Sequence, residues 1–155
     1  MSNQNPVQID LANHADIPAL SQLIDSLFAL ESEYKINQDA QQRGLTLLLS
    51  SGSRARLWCA RAGSRVVGMV SVQLVASTAE GAWSGWMEDL IVQEDYRSQG
   101  TGKALVDAAW NWAKSQGATR MQALVDQDNH AAMKFYNKLN FTRGCMFNIT
   151  LHQPA

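Results

Sequence analysis

The chain is predicted to be an α/β (α+β) protein: a mixed, mostly antiparallel twisted sheet flanked by helices. Three observations lead there. Two apolar runs, 57–62 and 66–77, meet at Gly63-Ser64, which marks a hairpin. A strand over 83–92 is followed by a helix over 101–116 and a strand over 120–126, a β-α-β order that makes those two strands parallel. An apolar stripe of helical period lies before this block, at 20–28, and a capped helix follows it.

Taken in order, Val7, Ile9 and Leu11 alternate with polar residues and form an edge strand. Asp16-Ile-Pro18 is a helix start, with Asp16 as N-cap and proline in the first turn. Leu20, Leu23, Ile24, Leu27 and Phe28 then form one apolar stripe, which carries the helix to about Leu30. A second helix spans 38–50 and stops near Ser51-Gly52. After the hairpin, a loop at 78–82 leads into the strand 83–92. The helix 101–116 has Leu105, Ala108 and Trp112 on one face and Gly117 as its stop. Asn129 caps a last helix reaching Leu139. Cys145, Phe147, Ile149 and Leu151 alternate as a terminal strand.

At 155 residues the chain has the length of one domain, 1–155, able to bury a sizeable core. Its net charge of −1 gives no reason to expect nucleic acid. No apolar run approaches a membrane span, and the polar first five residues are not a signal peptide, so the cytoplasm is the expected compartment. Cys59 and Cys145 lie in apolar segments and are expected as buried, reduced thiols. His14, His130 and His152 are isolated, so no metal is expected. Charge is uneven: up to Ser53 there are six acidic residues (Asp10, Asp16, Asp25, Glu31, Glu33, Asp39) against Lys35 and Arg43.

The most informative stretch is the strand ending Leu90-Ile91-Val92 and the turn Arg97-x-x-Gly100-x-Gly102 before a helix. Two glycines let the backbone approach a ligand, and the helix start supplies unpaired N–H groups and the positive end of a dipole. That is a site for a phosphate or pyrophosphate, held by the N–H groups of Ser98, Gln99, Gly100, Thr101, Gly102 and Lys103. It is not a P-loop, because Arg97 stands where glycine is needed and Ala104 follows Lys103. A dinucleotide fingerprint would need a small residue at Leu105.

With this turn, and with Asn129-x-x-Ala132-x-x-Phe135-Tyr136-x-x-Leu139-x-Phe141 downstream, the chain resembles the GNAT acetyltransferases. Asn140 stands where that family usually has glycine, and asparagine also enters the left-handed region. The resemblance implies acetyl-CoA as co-substrate, with pyrophosphate on the Arg97–Lys103 turn and the pantetheine arm paired to Leu90, Ile91 and Val92. The strands flanking the pyrophosphate helix would splay to admit that arm. Asn129 and Ala132 belong to the same cofactor-binding motif. The segment from Met87 to Gly102 is similar to the diamine (polyamine) branch of the family. A homodimer is also implied, to which the apolar terminal strand contributes.

Acetyl transfer to an amine needs an acid for the leaving thiolate and a base for the ammonium. Tyr136 shares a helix face with Asn129 and Ala132, and its phenol stays protonated at neutral pH, so it is the candidate acid. Glu88 is the candidate base. In simple alternation Glu88, Leu90 and Val92 face one way, and a carboxylate among Trp86, Met87 and Leu90 is expected to be partly buried, with its pKa raised. Asp126 and Glu33 stand next in line. Trp83, Trp86 and the loop 77–81 are expected at the acceptor mouth, and the acidic first helices as one wall, suited to a small cationic amine. The alternatives are an aminoglycoside, amino acid or protein amine as acceptor, or a non-catalytic acyl-CoA-binding regulatory module. Tyr136 and the glycines speak against the last.

Overall fold

A computed structural model of the chain describes residues 6–29 and 35–154. The chain divides into two compact units, Met1–Leu124 and Val125–Ala155.

The first unit is built on a five-stranded sheet of β1 (Val7–Leu11), β2 (Ala55–Ala62), β3 (Arg65–Ser77), β4 (Ala82–Val92) and β5 (Ala118–Gln122), in that spatial order. Every pairing is antiparallel except β4 with β5. The β2–β3 turn uses Gly63 at φ +61°, a conformation that costs glycine nothing. Helices α1 (Ile17–Phe28) and α2 (Gln38–Leu49) precede the hairpin, and α3 (Thr101–Ser115) joins β4 to β5.

The helices cover both faces of the sheet. Leu20, Leu23 and Ile24 of α1 and Leu45 of α2 pack on Leu57, Cys59, Met69 and Ile91. Fully burying each such leucine contributes roughly 1.5–3 kcal/mol. Burial pushes the Cys59 thiol up to about 12, so it remains an unreactive thiol. On the other face, the ring of α3 Trp112 meets Trp58 edge-on at 5.8 Å. A methyl group at Gly85 would lie 3.5 Å from Ala113 and only 3.1 Å from Met121, so glycine permits close strand and helix packing there.

The entry to α1 differs from expectation. Asp16 sits at the N-cap position but makes no side-chain cap. Asn13 does the capping for the short turn before it, and Asp16 accepts from the Asn13 backbone N–H at 2.8 Å. The Asp16 carboxylate is also gripped by both terminal nitrogens of Arg61, at 2.9 and 2.8 Å. Leu30 lies outside the described residues.

Two irregularities shape β4. Ser71 pairs with Glu88 and Met69 with Ile91, so Asp89 and Leu90 together oppose Val70 in a β-bulge, with Asp89 at φ +52°. Pairing with β5 runs only from Trp83 to Trp86, because β5 ends at Gln122 and not at Asp126 as expected. From Met87 onward β4 has no ladder partner on that side among the described residues.

The second unit holds α4 (His130–Lys138), capped by Asn129, whose side chain accepts from the Ala132 N–H at 3.0 Å. Asn140 ends it at φ +64°, and the Phe141 N–H donates to the Tyr136 carbonyl. The expected strand at 145–151 is absent. Residues 142–154 carry no regular structure, and Cys145, Met146, Phe147, Ile149 and Leu151 are exposed. Cys145 is therefore not the buried thiol anticipated. Alternation states which face a strand could bury, but a strand forms only where a neighbour completes its ladder.

Candidate active site

The turn between β4 and α3 is made of main chain. Ser98 and Gly100 both have positive φ, +60° and +86°, and Gly100 is the α3 N-cap without any side-chain cap bond. The first helical bond runs from the Ala104 N–H to the Gly100 carbonyl, so the N–H groups of Thr101, Gly102 and Lys103 lie ahead of the helix ladder. A Cβ at Gly100 would meet nothing within 4 Å. This is an open cradle at the positive end of a fifteen-residue helix, which fits the pyrophosphate of a CoA thioester. The Arg97 Nε donates to the Val92 carbonyl at 2.8 Å, tying the turn to the end of β4. The Gln99 side chain donates to the Asp95 carbonyl, and Lys103 pairs with Asp107 one helical turn on.

The Leu90-Ile91-Val92 segment lies where β4 has left β5. Its other side remains bonded to β3, with Val92 opposite Gly68. An edge of this kind can accept an extended ligand by backbone pairing.

A cleft of about 410 Å³ opens between α1, α2 and the sheet. Ile24 and Phe28 line one wall, and Ala40, Gln41, Gly44, Leu45 and Leu48 the other, with Gln73, Glu88 and Asp89 on the strands. Among the described residues its charged lining is Lys35, Glu88 and Asp89, and both of those carboxylates come from β4. Of the expected acidic wall of the first helices, Asp10 and Asp16 are engaged by Arg61 and Asp25 accepts from Gln38, while Glu31 and Glu33 lie outside the described residues.

Glu88 is exposed, contrary to the expected partial burial, and one carboxylate oxygen accepts from the Trp86 indole N–H at 2.9 Å. The bulge also changes its face. It inserts one residue into the alternation, so Glu88 shares its face with Ile91, whereas Val92 pairs with Gly68 on the opposite face. Trp83 and the loop 77–81 do not line this cleft. They border a separate shallow depression with Ala76 and Gly117.

Gln41 was not anticipated. It is 8% exposed, and its Oε1 accepts from the Ser21 hydroxyl of α1 at 2.9 Å. Its Nε2 has no hydrogen-bond partner among the described residues. A buried amide donor left unpaired costs roughly 1–3 kcal/mol. No local pattern marks Gln41, because its partner lies twenty residues away.

In the second unit, Tyr136 stacks edge-on against Phe135 and Phe141 at 5.3 and 5.2 Å between ring centres. Asp126 closes a turn by accepting from the Asp128 N–H at 2.9 Å.

Residues 22–141 match the model of the acetyltransferase (GNAT) family. Glucosamine 6-phosphate N-acetyltransferase of Trypanosoma brucei brucei is 27% identical over 92 residues, 59% of this chain and 60% of that protein. N-alpha-acetyltransferase 30 of Schizosaccharomyces pombe is 36% identical over 59 residues, 38% of this chain and 39% of its own. Across the curated relatives it matches, the matched segment covers between 24% and 60% of the relative's length. A solved structure of a transcriptional regulator from Bacillus halodurans C-125 superimposes with a TM-score of 0.81 at 22% identity, covering 96% of this chain and 100% of its own. An aminoglycoside acetyltransferase from a soil metagenomic sample, solved with sisomicin, gives 0.73 at 18% identity, covering 94% and 97%. At these identities the superpositions speak to fold. No described helix is long and apolar enough to cross a membrane.

Proposed function

The chain belongs to the acetyltransferase (GNAT) family, and from that premise we propose that it moves an acetyl group from acetyl-CoA to a primary amine of a small cationic acceptor, by direct attack in a ternary complex. One observation carries this reading. A single strand, β4, offers an edge without a β5 partner that runs toward the open N–H cradle, and sets Glu88 and Asp89 at the lining of a cleft.

In this reading the pyrophosphate rests on the N–H groups of Ser98–Lys103 and the pantetheine arm pairs with Leu90–Val92. A backbone N–H of that strand polarises the thioester carbonyl. The amine enters by the cleft with its cation toward Glu88 and Asp89. An alkylammonium, with a pKa near 10.4, must lose a proton before it attacks, and Glu88 takes it by way of a water. The nitrogen forms a bond to the carbonyl carbon, the carbon–sulfur bond breaks, and the thiolate leaves with the electron pair. Tyr136 is assigned the proton for that thiolate on the strength of its motif. Similarity between Met87 and Gly102 favours acceptors of the diamine type. A homodimer belongs to the same reading on family resemblance, and sedimentation at micromolar concentration reads it.

The test is release of CoA thiol from acetyl-CoA across a panel of amines. Tyr136→Phe should lower turnover by about 10²–10⁴ while acetyl-CoA affinity changes little. Wild-type turnover in that variant would remove Tyr136 from the mechanism. Absence of thiol release with every amine would remove the activity itself.

A further inference from the structure

Glu88 stands just past the point where β4 changes character. Trp86 is the last β4 residue paired on both sides, to Gln73 of β3 and Gln122 of β5. Two residues on, Glu88 keeps its β3 partner Ser71 but has no ladder partner on the other side among the described residues. Side chains two apart on a strand share a face, and here they meet. The half-buried Trp86 indole donates from Nε1 to the Glu88 Oε1 at 2.9 Å. The main chain of Glu88 is tied down as well, because the buried Ser71 hydroxyl donates to its carbonyl at 3.2 Å. Its Oε2 has no partner among the described residues. Glu88 lines the cleft, and Trp86 is not among the described lining residues, so whatever Trp86 does there it does through Glu88.

We infer that Trp86 is a positioning residue for the proposed transfer: its indole N–H occupies one oxygen of Glu88 and leaves the other as the atom that takes the proton. This rests on Glu88 being the base, and it deepens that reading. Indole Nε1 is a donor only, so it offers the proton no competing acceptor. In the carboxylate, Oε1 accepts the indole hydrogen and Oε2 is open. A water gives one proton to Oε2 as it takes one from the ammonium, which becomes the neutral amine. In the resulting acid Oε1 is the carbonyl oxygen and still accepts from the indole. The bond survives both states, and the carboxyl has no need to rotate between them. An exposed glutamate without this bond would spread over several rotamers, few of which hold the base in reach of its water.

Two measurements on the intact chain test this. The first compares wild type, Trp86→Phe, Glu88→Gln and the double variant in acetylation of 1,3-diaminopropane. Phenylalanine keeps an aromatic ring and removes the donor. Trp86→Phe should lower kcat by roughly ten- to a hundredfold and leave KM within about twofold, because the carboxylate charge remains. In the Glu88→Gln background the same change should cost less than about twofold, since no base is left to position. An equal loss in both backgrounds would give Trp86 a merely structural part and overturn the inference, with the transfer intact. Full activity in Glu88→Gln would overturn it as well, again with the transfer intact. The second measurement leaves Trp86 unchanged, and so stands even if Trp86→Phe does not fold. The Trp86 indole N–H signal, followed by NMR, should move upfield in Glu88→Gln as its acceptor loses its charge. A signal that stays still would show that the bond is not made in solution and overturn the inference. Absence of thiol release with every amine would remove the transfer itself, and the inference with it.

Discussion

The β4–α3 turn and the α1–α2 cleft belong to the same unit and border the same strand, yet they are built from different materials. The turn presents N–H groups at a helix start, shaped by Ser98 and Gly100 at positive φ, with no side chain reaching in as a cap. The cleft presents side chains: among the described residues, leucines, a phenylalanine, two glutamines, a lysine and two carboxylates. In the proposed reading the main chain of the turn meets what every CoA thioester shares, a pyrophosphate, and tolerates change in any side chain that does not need its space. The side chains of the cleft would then meet what differs between amines, so that substitutions there alter the preference.

The largest expected effect on ligand stabilisation breaks the turn alone. Acetyl-CoA at a hundred times its dissociation constant should stabilise the wild type by about 2.7 kcal/mol, or roughly 5–10 °C in melting temperature. Gly100→Val should lose that shift, because valine is strained at φ +86° and its branches enter the open cradle. Each variant is compared with its own ligand-free melting temperature, so any loss of fold stability cancels. An undiminished shift would dismiss the turn as the anchor. The cleft should respond in rate and not in ligand stabilisation. Glu88→Gln should leave the acetyl-CoA shift intact and lower kcat/KM for a diamine by roughly 10²–10⁴, as expected for loss of a general base, with a further two- to fivefold from loss of the exposed charge. An equal change for a neutral-bodied monoamine would mean that Glu88 does not meet the second cation.

The smallest effect separates the regions by pH. The Arg61 guanidinium beside Asp16 holds that carboxyl below its ordinary value of 3.8, against the opposing pull of burial. A depressed carboxyl contributes stability that is complete above the unfolded value and is lost as pH falls through the lower folded one. The melting temperature should therefore decline below about pH 3.8, and Asp16→Asn should flatten that decline. The main-chain N–H groups of the turn have no proton to gain over this range. A profile identical in Asp16→Asn would show that the pair at the α1 entrance is not linked to acid stability.

This division also explains what could be read in advance. Gly100, Gly102 and Arg97 lie within six residues, so the turn was legible from local chemistry, as was the β-α-β order around α3. Asn140 took the left-handed conformation anticipated for it. The cleft depends on meetings that no window contains. Ser21 finds Gln41 across two helices, and Arg61 finds Asp16 forty-five residues away and turns it from its expected capping role. Glu88 was placed on the wrong relative face because the bulge at Asp89 leaves no unambiguous local mark. The alternation at 145–151 was read as a strand because periodicity reports amphipathicity, while strand formation also needs a partner.

The bulge has one more consequence, for anyone comparing or editing sequences of this kind. It acts as a phase shifter: everything before Asp89 keeps one parity of inward and outward residues, and everything after Leu90 keeps the other. Deleting either Asp89 or Leu90 would leave one residue opposite Val70, so Glu88 and Ile91 would keep their common face, Met87 would stay in the opposite core, and only the bulge would be lost. An alignment with a chain that lacks the bulge therefore needs a one-residue gap here, and without that gap it would match residues that point to opposite sides of the sheet.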